Sequence, residues 1–248
     1  MLNKVPEITL IFWIIKIMAT TVGETGADFL ATHVGLGKAM TGGIMAALLI
    51  AALIVQLRSR RYVPWIYWLT VVLVSVVGTQ ITDALTDGFD VSLYVSTTVF
   101  ALLLAAILAI WYSSERTLSI HTITTRRREL FYWAAILFTF ALGTAAGDLA
   151  TEALSLGFTV SVWVFGLLIA AMAGAYYLGA NAVLTFWLAY ILTRPLGASL
   201  GDLLSQSQTY GGLGLGTIRT SLIFFAVIAV LVTFISVGPN RPKTAEQA

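Results

Sequence analysis

The sequence predicts an all-α polytopic membrane protein of eight transmembrane helices, built from four parallel helical-hairpin repeats. Three observations predict it: an excess of apolar residues, their grouping into runs of bilayer length, and one residue pattern that returns four times. Of 248 residues, 58% are hydrophobic and 10% charged, which is more apolar surface than a soluble domain of this length buries. The runs 8–22, 44–57, 91–112 and 218–237 approach the roughly 20 residues that a helix needs to cross a ~30 Å hydrocarbon core. They lack the alternation of an outer-membrane barrel, and a helix satisfies its own backbone polar groups in lipid, so helix is the reading.

The repeat fixes the elements in order. Phe12-Trp13, Tyr67-Trp68, Tyr132-Trp133 and Phe186-Trp187 each pair an aromatic residue with tryptophan. Ten residues later stand Gly23, Gly78, Gly143 and Gly197, and five further on Asp28, Asp83, Asp148 and Asp202. Such fixed offsets mark tandem repeats, here about 5–57, 62–112, 129–178 and 181–237 of a single membrane domain 1–248. After each aspartate comes a turn with Gly35, Gly88, Gly157 or Gly214 and then a second apolar run, so each repeat reads as a two-helix hairpin. Lys4 before the first run imitates a signal peptide, but the segment recurs downstream and is expected to stay uncleaved.

Two spans per repeat bring every repeat in from the same side, as parallel copies. Arg58, Arg60, Arg61, Arg116 and Arg126, Arg127, Arg128 sit between repeats, with Lys4, Arg241 and Lys243 at the ends, against Lys38 inside a turn. The positive-inside bias then makes both termini cytoplasmic. The neutral connection 178–182 is so short that it should hold its flanking helices together. The tryptophans read as interfacial anchors at the cytoplasmic ends of the odd spans.

An ionised carboxylate in the hydrocarbon zone costs roughly 2.5–3.5 kcal/mol on insertion scales, so four of them need a reason. Each lies about 22 Å of helix from its tryptophan, in the outer half of the membrane. Residues four before and four after extend a polar stripe along one face: Glu24-Asp28-Thr32, Thr79-Asp83-Asp87, Thr144-Asp148-Glu152 and Ala198-Asp202-Gln206. The odd spans therefore line an interior and the even spans, with small-residue surfaces, pack around them. Lys16 can snorkel to the cytoplasmic interface. Arg194 lies deeper and needs a carboxylate partner, Glu24 or one of the aspartates. Pro195 should kink its helix.

Glu24 with Asp28, Asp83, Asp148 and Asp202 outnumber Arg194 and Lys16, so the group must hold protons or bind cations. That competition is the chemistry of a secondary transporter exchanging a hard cation, such as manganese, calcium or magnesium, for protons. Oxygen ligands favour such ions over zinc or copper, and the same five acids are the candidate metal ligands. His33 and His121 fall in turns away from them. A cation channel with a carboxylate-lined pore and a non-transport structural membrane protein are the alternatives. With no cysteine, thiol catalysis, thiolate metal sites and disulfides are excluded. The Gly-x-Gly-Asp and Tyr-Asp elements of aspartyl intramembrane proteases are missing, so no enzyme is read here. No cofactor is expected. The partners are the lipid bilayer, an inorganic cation and protons; a net charge of +2 gives no footprint for nucleic acid.

These aromatic-Trp…Gly…Asp units resemble a bacterial membrane-protein family defined by four tandem repeats of unknown function, each with two transmembrane regions and a tryptophan. The likeness covers about residues 5–237 and implies the eight-span architecture. In chemistry alone the chain is similar to cation exchangers with Glu-x-Gly-Asp-Lys-Thr in repeated helices. Gly147-Asp148 with Thr151 and Gly201-Asp202 with Ser205 echo that motif, while its glutamate and lysine are missing from both copies.

Overall fold

The structure, a computed structural model, describes residues 3–33 and 38–237; the side chains of Asp28, residues 30–33 and Lys38 lie outside the described residues. Eight helices follow one another: α1 Leu10–His33, α2 Lys38–Arg58, α3 Pro64–Asp83, α4 Leu93–Glu115, α5 Arg126–Asp148, α6 Gly157–Tyr177, α7 Ala182–Ser205 and α8 Thr217–Val237. All eight are long and apolar enough to cross a membrane. Their starts carry local signals. Pro64, with its preset φ and missing N–H, opens α3. The Thr125 side chain accepts from the Arg128 N–H at 3.3 Å, and Asn181 Oδ1 accepts from Val183 and Leu184 at 3.0 Å.

The odd helices α1, α3, α5 and α7 form a closed inner ring, each packed on the next and α7 back on α1. Between 61 and 72% of each inner span is buried, against 11–22% for α2, α4, α6 and α8, which form the outer layer. The outer helices turn large apolar side chains outward, Leu102, Trp163 and Leu222 among them, as lipid-facing surfaces do.

One expectation needs correcting. The two helices of a repeat are neighbours in sequence, but each outer helix packs mainly on the inner helix that follows it: α2 on α3, α4 on α5, α6 on α7, and α8 on α1. The connection at 178–182 does hold α6 and α7 together, as its length requires. Within a repeat the two helices touch little, and the aspartate-bearing ends of the inner helices surround a cavity.

At mid-depth the repeated glycines set the ring. A Cβ on Gly23 would overlap Ser75, one on Gly78 would stand 2.7 Å from Phe140 Cβ, one on Gly143 would overlap Arg194, and one on Gly197 would overlap Thr20. The residues met stand at one repeat position, eight before each aspartate, on the next inner helix round. The same glycine therefore makes all four crossings of a pseudo-fourfold waist, by letting backbones approach where any side chain would hold them apart.

The tryptophans correct a second expectation. Trp68, Trp133 and Trp187 are 2%, 5% and 4% exposed, so they are core residues rather than anchors in the headgroup layer. Only Trp13 is half-buried. Because outer helices cover the inner ring, its tryptophan end has no lipid to meet and fills with aromatic rings. Tyr67 and Trp68 meet edge to face with centroids 5.2 Å apart, Tyr132 and Trp133 at 5.3 Å, Phe186 and Trp187 at 5.3 Å. The Tyr67 and Tyr132 hydroxyls share a hydrogen bond of 2.5 Å. Beneath this layer Lys4 pairs with buried Glu129 at 2.6 Å, and Gln56 donates to the same carboxylate at 3.1 Å, tying the N-terminal segment to α2 and α5.

Candidate ion-binding cavity

The stripe positions on the inner helices meet at the aspartate end of the bundle. A cavity of about 460 Å³ opens there, lined by the carboxylates of Glu24 from α1, Asp83 and Asp87 from α3 and the turn after it, Asp148 and Glu152 from α5 and its continuation, and Asp202 from α7. Gln206 lines it too. Asp28 belongs to α1 at the matching position, and its side chain is outside the described residues.

Thr79 and Thr144 lie under the cavity, fully buried, where they serve its floor. That floor is Arg194, whose side chain is wholly buried. Its guanidinium donates to Glu24 Oε2 at 2.6 Å, to the Thr20 carbonyl at 2.8 Å, to Thr144 Oγ1 at 3.1 and 2.8 Å, and to Thr79 Oγ1. Glu24, Thr79 and Thr144 occupy one repeat position, four before the aspartate, where α7 itself has Ala198. Arg194 thus reaches across the axis and ties the three other repeats together. Its carboxylate partner is Glu24. A guanidinium that cannot shed its proton is kept in the bundle interior, among the described residues, by this ion pair and a ring of neutral oxygens.

The chain leaves the α-helical path directly after two of the aspartates. Ala84–Gly88 and Leu149–Ala153, at matching repeat positions, each form a π-helical turn. Such turns insert one residue per turn and recur at functional sites. Here they carry Asp87 and Glu152 to the cavity rim. α7 stays α-helical through Pro195, which lies against Gly143 and Gly147.

Several features were not legible in the sequence. Asp90, Val91, Ser92 and Leu93 from the α3–α4 turn and Phe158 from α6 also line the cavity, so outer helices contribute their ends to the mouth. Asp90 brings the lining carboxylates to seven. Its φ of 54°, matched by Ser155 in the next repeat, was the kind of turn geometry that periodicity does not reveal. Lys16 corrects the snorkelling expectation: it is 1% exposed and points into the ring, with Nζ 4.0 Å from the Phe140 ring centre and 4.3 Å from that of Tyr190. The wall of outer helices and the aromatic layer bar its way to the interface. His121 sits in an exposed turn at the tryptophan end, and His33 has its side chain outside the described residues. Among the described residues no three acids or histidines come close enough to ligate one metal ion together.

Eight membrane-spanning helices in four tandem repeats, with an acid-lined cavity at one end, define a polytopic membrane protein of repeat architecture. The chain belongs to the family described as Repeat of Unknown Function (DUF347), which matches it at residues 11–62, 66–117, 131–180 and 185–237. No curated protein and no solved structure matches it.

Proposed function

We propose that this chain is a secondary carrier, not an enzyme, which exchanges a hard cation for protons through the acid-lined cavity. The observation that carries the reading is the charge balance at the site. Seven carboxylates of the described residues line the cavity, above the buried ion pair of Arg194 with Glu24. Like charges gathered beside a low-dielectric wall cannot all stay ionised without counter-charge, so the cavity takes up protons, cations or both in competition. All-oxygen lining suits manganese, magnesium or calcium. With no three acids grouped on one point among the described residues, the ion would enter with part of its water shell, as hard divalent cations commonly do.

A carrier is favoured over a channel because the axis below the cavity is occupied. Arg194, Lys16 and the hydroxyl-linked Tyr67 and Tyr132 fill it, all fully buried or nearly so. The bacterial inner membrane, with both termini cytoplasmic, is part of the same reading. Arg58, Arg60, Arg61, Arg116 and Arg126, Arg127, Arg128 cluster at the tryptophan end, against Lys38 at the start of α2 and Arg219 at the start of α8.

The test is flux in proteoliposomes, with manganese uptake and internal pH followed together. Wild-type protein should move manganese one way and protons the other, and Asp148→Asn should abolish both movements while the fold is retained. Manganese flux with no proton counterflow, or full exchange in Asp148→Asn, would remove exchange through this cavity.

A further inference from the structure

Lys16 has no task in the cavity, yet it is held in the middle of the inner ring. It lies two turns from Glu24 toward the tryptophan end of α1 and is 1% exposed. Its Nζ has no hydrogen-bond acceptor among the described residues and faces two rings, Phe140 of α5 and Tyr190 of α7. A lysine serving only to balance charge would meet a carboxylate, as Lys4 meets Glu129 at 2.6 Å. A like charge instead faces the same Phe140 ring, with the Arg194 guanidinium carbon 5.8 Å from its centre. On the inner helices, Ser75 Oγ and the Trp133 indole N–H share this condition, buried without a protein partner among the described residues. Buried polar groups without a protein partner are where interior water is held. By repeat position Arg194 stands eight residues before its aspartate, Lys16 and Tyr190 twelve, and the hydrogen-bonded Tyr67 and Tyr132 sixteen, so the three levels follow one another down the ring.

We propose that Lys16 is a proton relay, passing protons between the acid-lined cavity and the tyrosine cluster of the opposite membrane half. The proposal rests on the exchange reading and supplies the half of the route that the cavity does not reach. In the step, the amine lone pair forms an N–H bond with a proton of a hydronium ion at the cavity floor, whose O–H bond breaks to leave water. The ammonium so formed stands over two ring faces, which stabilise it by about 0.5–2 kcal/mol. It then gives the proton to water beside the Tyr190 hydroxyl, and the amine is restored. Arg194 takes no part, because its guanidinium keeps its protons. The ionisable groups around Lys16 are few. α7 offers Tyr190 and Arg194 with Asp202 toward its end, and α5 presents the Phe140 ring with Tyr132 and Asp148 along the helix. α3 has Tyr67 and Asp83 near its two ends, α2 has Lys38 and Arg58 at its ends, and α8 has Arg219 in its first turn.

The experiment uses the full chain in proteoliposomes, with proton flux driven by a pH gradient and by a manganese gradient, and manganese binding measured separately. Lys16→Met should lower both proton fluxes by about a hundredfold, the scale of a lost positioned proton carrier, with manganese binding unchanged. Lys16→Arg keeps the charge but cannot give the proton up, so it should stay as blocked as Lys16→Met. Each variant is compared with wild type for thermal stability, and Tyr190→Phe, which keeps the ring under the amine, gives a milder third variant with partial loss. Flux retained in folded Lys16→Met, or restored by Lys16→Arg, overturns the relay and leaves the exchange reading standing. A wild type that passes protons under a pH gradient but exchanges none for manganese would sink the exchange reading; loss of that flux in Lys16→Met would still support the relay. No proton movement through the wild type under either gradient overturns the relay.

Discussion

The four inner helices build two unlike halves on either side of the glycine waist. Toward the aspartate end they open on a cavity lined by seven carboxylates. Toward the tryptophan end the same helices close on edge-to-face aromatic pairs, with Trp68, Trp133 and Tyr132 buried. Because the helices are shared, residue type at each step along them makes the difference. One turn below the aspartates the ring is Glu24, Thr79, Thr144 and Ala198; the next turn is Thr20, Ser75, Phe140 and Arg194; tyrosines and tryptophans follow. The carboxylate of Glu24 is thus met by a guanidinium from the level below, and Lys16 stands one turn further down. A bundle of eight spans can keep acids inside a membrane when a single axial cation satisfies several repeats at once.

Removing that cation should break the comparison most severely. Arg194→Leu leaves Glu24 buried without its partner and strips donors from Thr79 and Thr144. A loss of about 3–5 kcal/mol is expected, the usual cost of leaving one member of a buried pair uncompensated. Thermal unfolding in detergent reads it directly. Pairing the change with Glu24→Gln should restore most of the loss, and a single variant as stable as wild type would show that Glu24 is not held by Arg194.

The waist is the next most sensitive level. Gly143→Ala would drive its new Cβ into Arg194 Cβ and Cγ, which belong to the base of the side chain and cannot swing away. Overpacking of this kind costs about 1–3 kcal/mol. Gly166→Ala on the outer helix α6 meets nothing within 4 Å. It should leave stability unchanged or raise it by up to about 1 kcal/mol, the helix preference of alanine over glycine. Equal effects at the two positions in the same unfolding assay would contradict a glycine-set waist.

Much of this architecture is written in the sequence, because four copies of one pattern expose which residues must be equivalent. Eight spans, the inner and outer division, and an acid partner for Arg194 all follow from spacing and from the cost of charge in lipid. Neighbour choice does not follow. Nothing in the spacing of α1 and α2 shows that α2 packs on α3, since an apolar face fits any apolar partner. The tryptophans misled for a related reason: an amphipathic ring at a span end suits the lipid interface and a protein core alike, and only the covering outer helices decide. Lys16 followed the same error, being close enough to a span end to snorkel had the way been open. The π-helical turns after Asp83 and Asp148 and the turn at Asp90 escaped because periodicity assumes an unbroken α-helix.

The account's central claim is a single-sided acid cavity above a sealed aromatic half, and cysteine accessibility tests it most directly in a chain that has no cysteine of its own. Asp87→Cys at the cavity rim should react with a membrane-impermeant maleimide added outside intact cells. Ser59→Cys, at the tryptophan end between α2 and α3, should react only once the membrane is permeabilised. Thr70→Cys, buried within the aromatic half, should stay unlabelled in both conditions. Labelling of Thr70→Cys from either side, or of Ser59→Cys but not Asp87→Cys from outside, would contradict the claim.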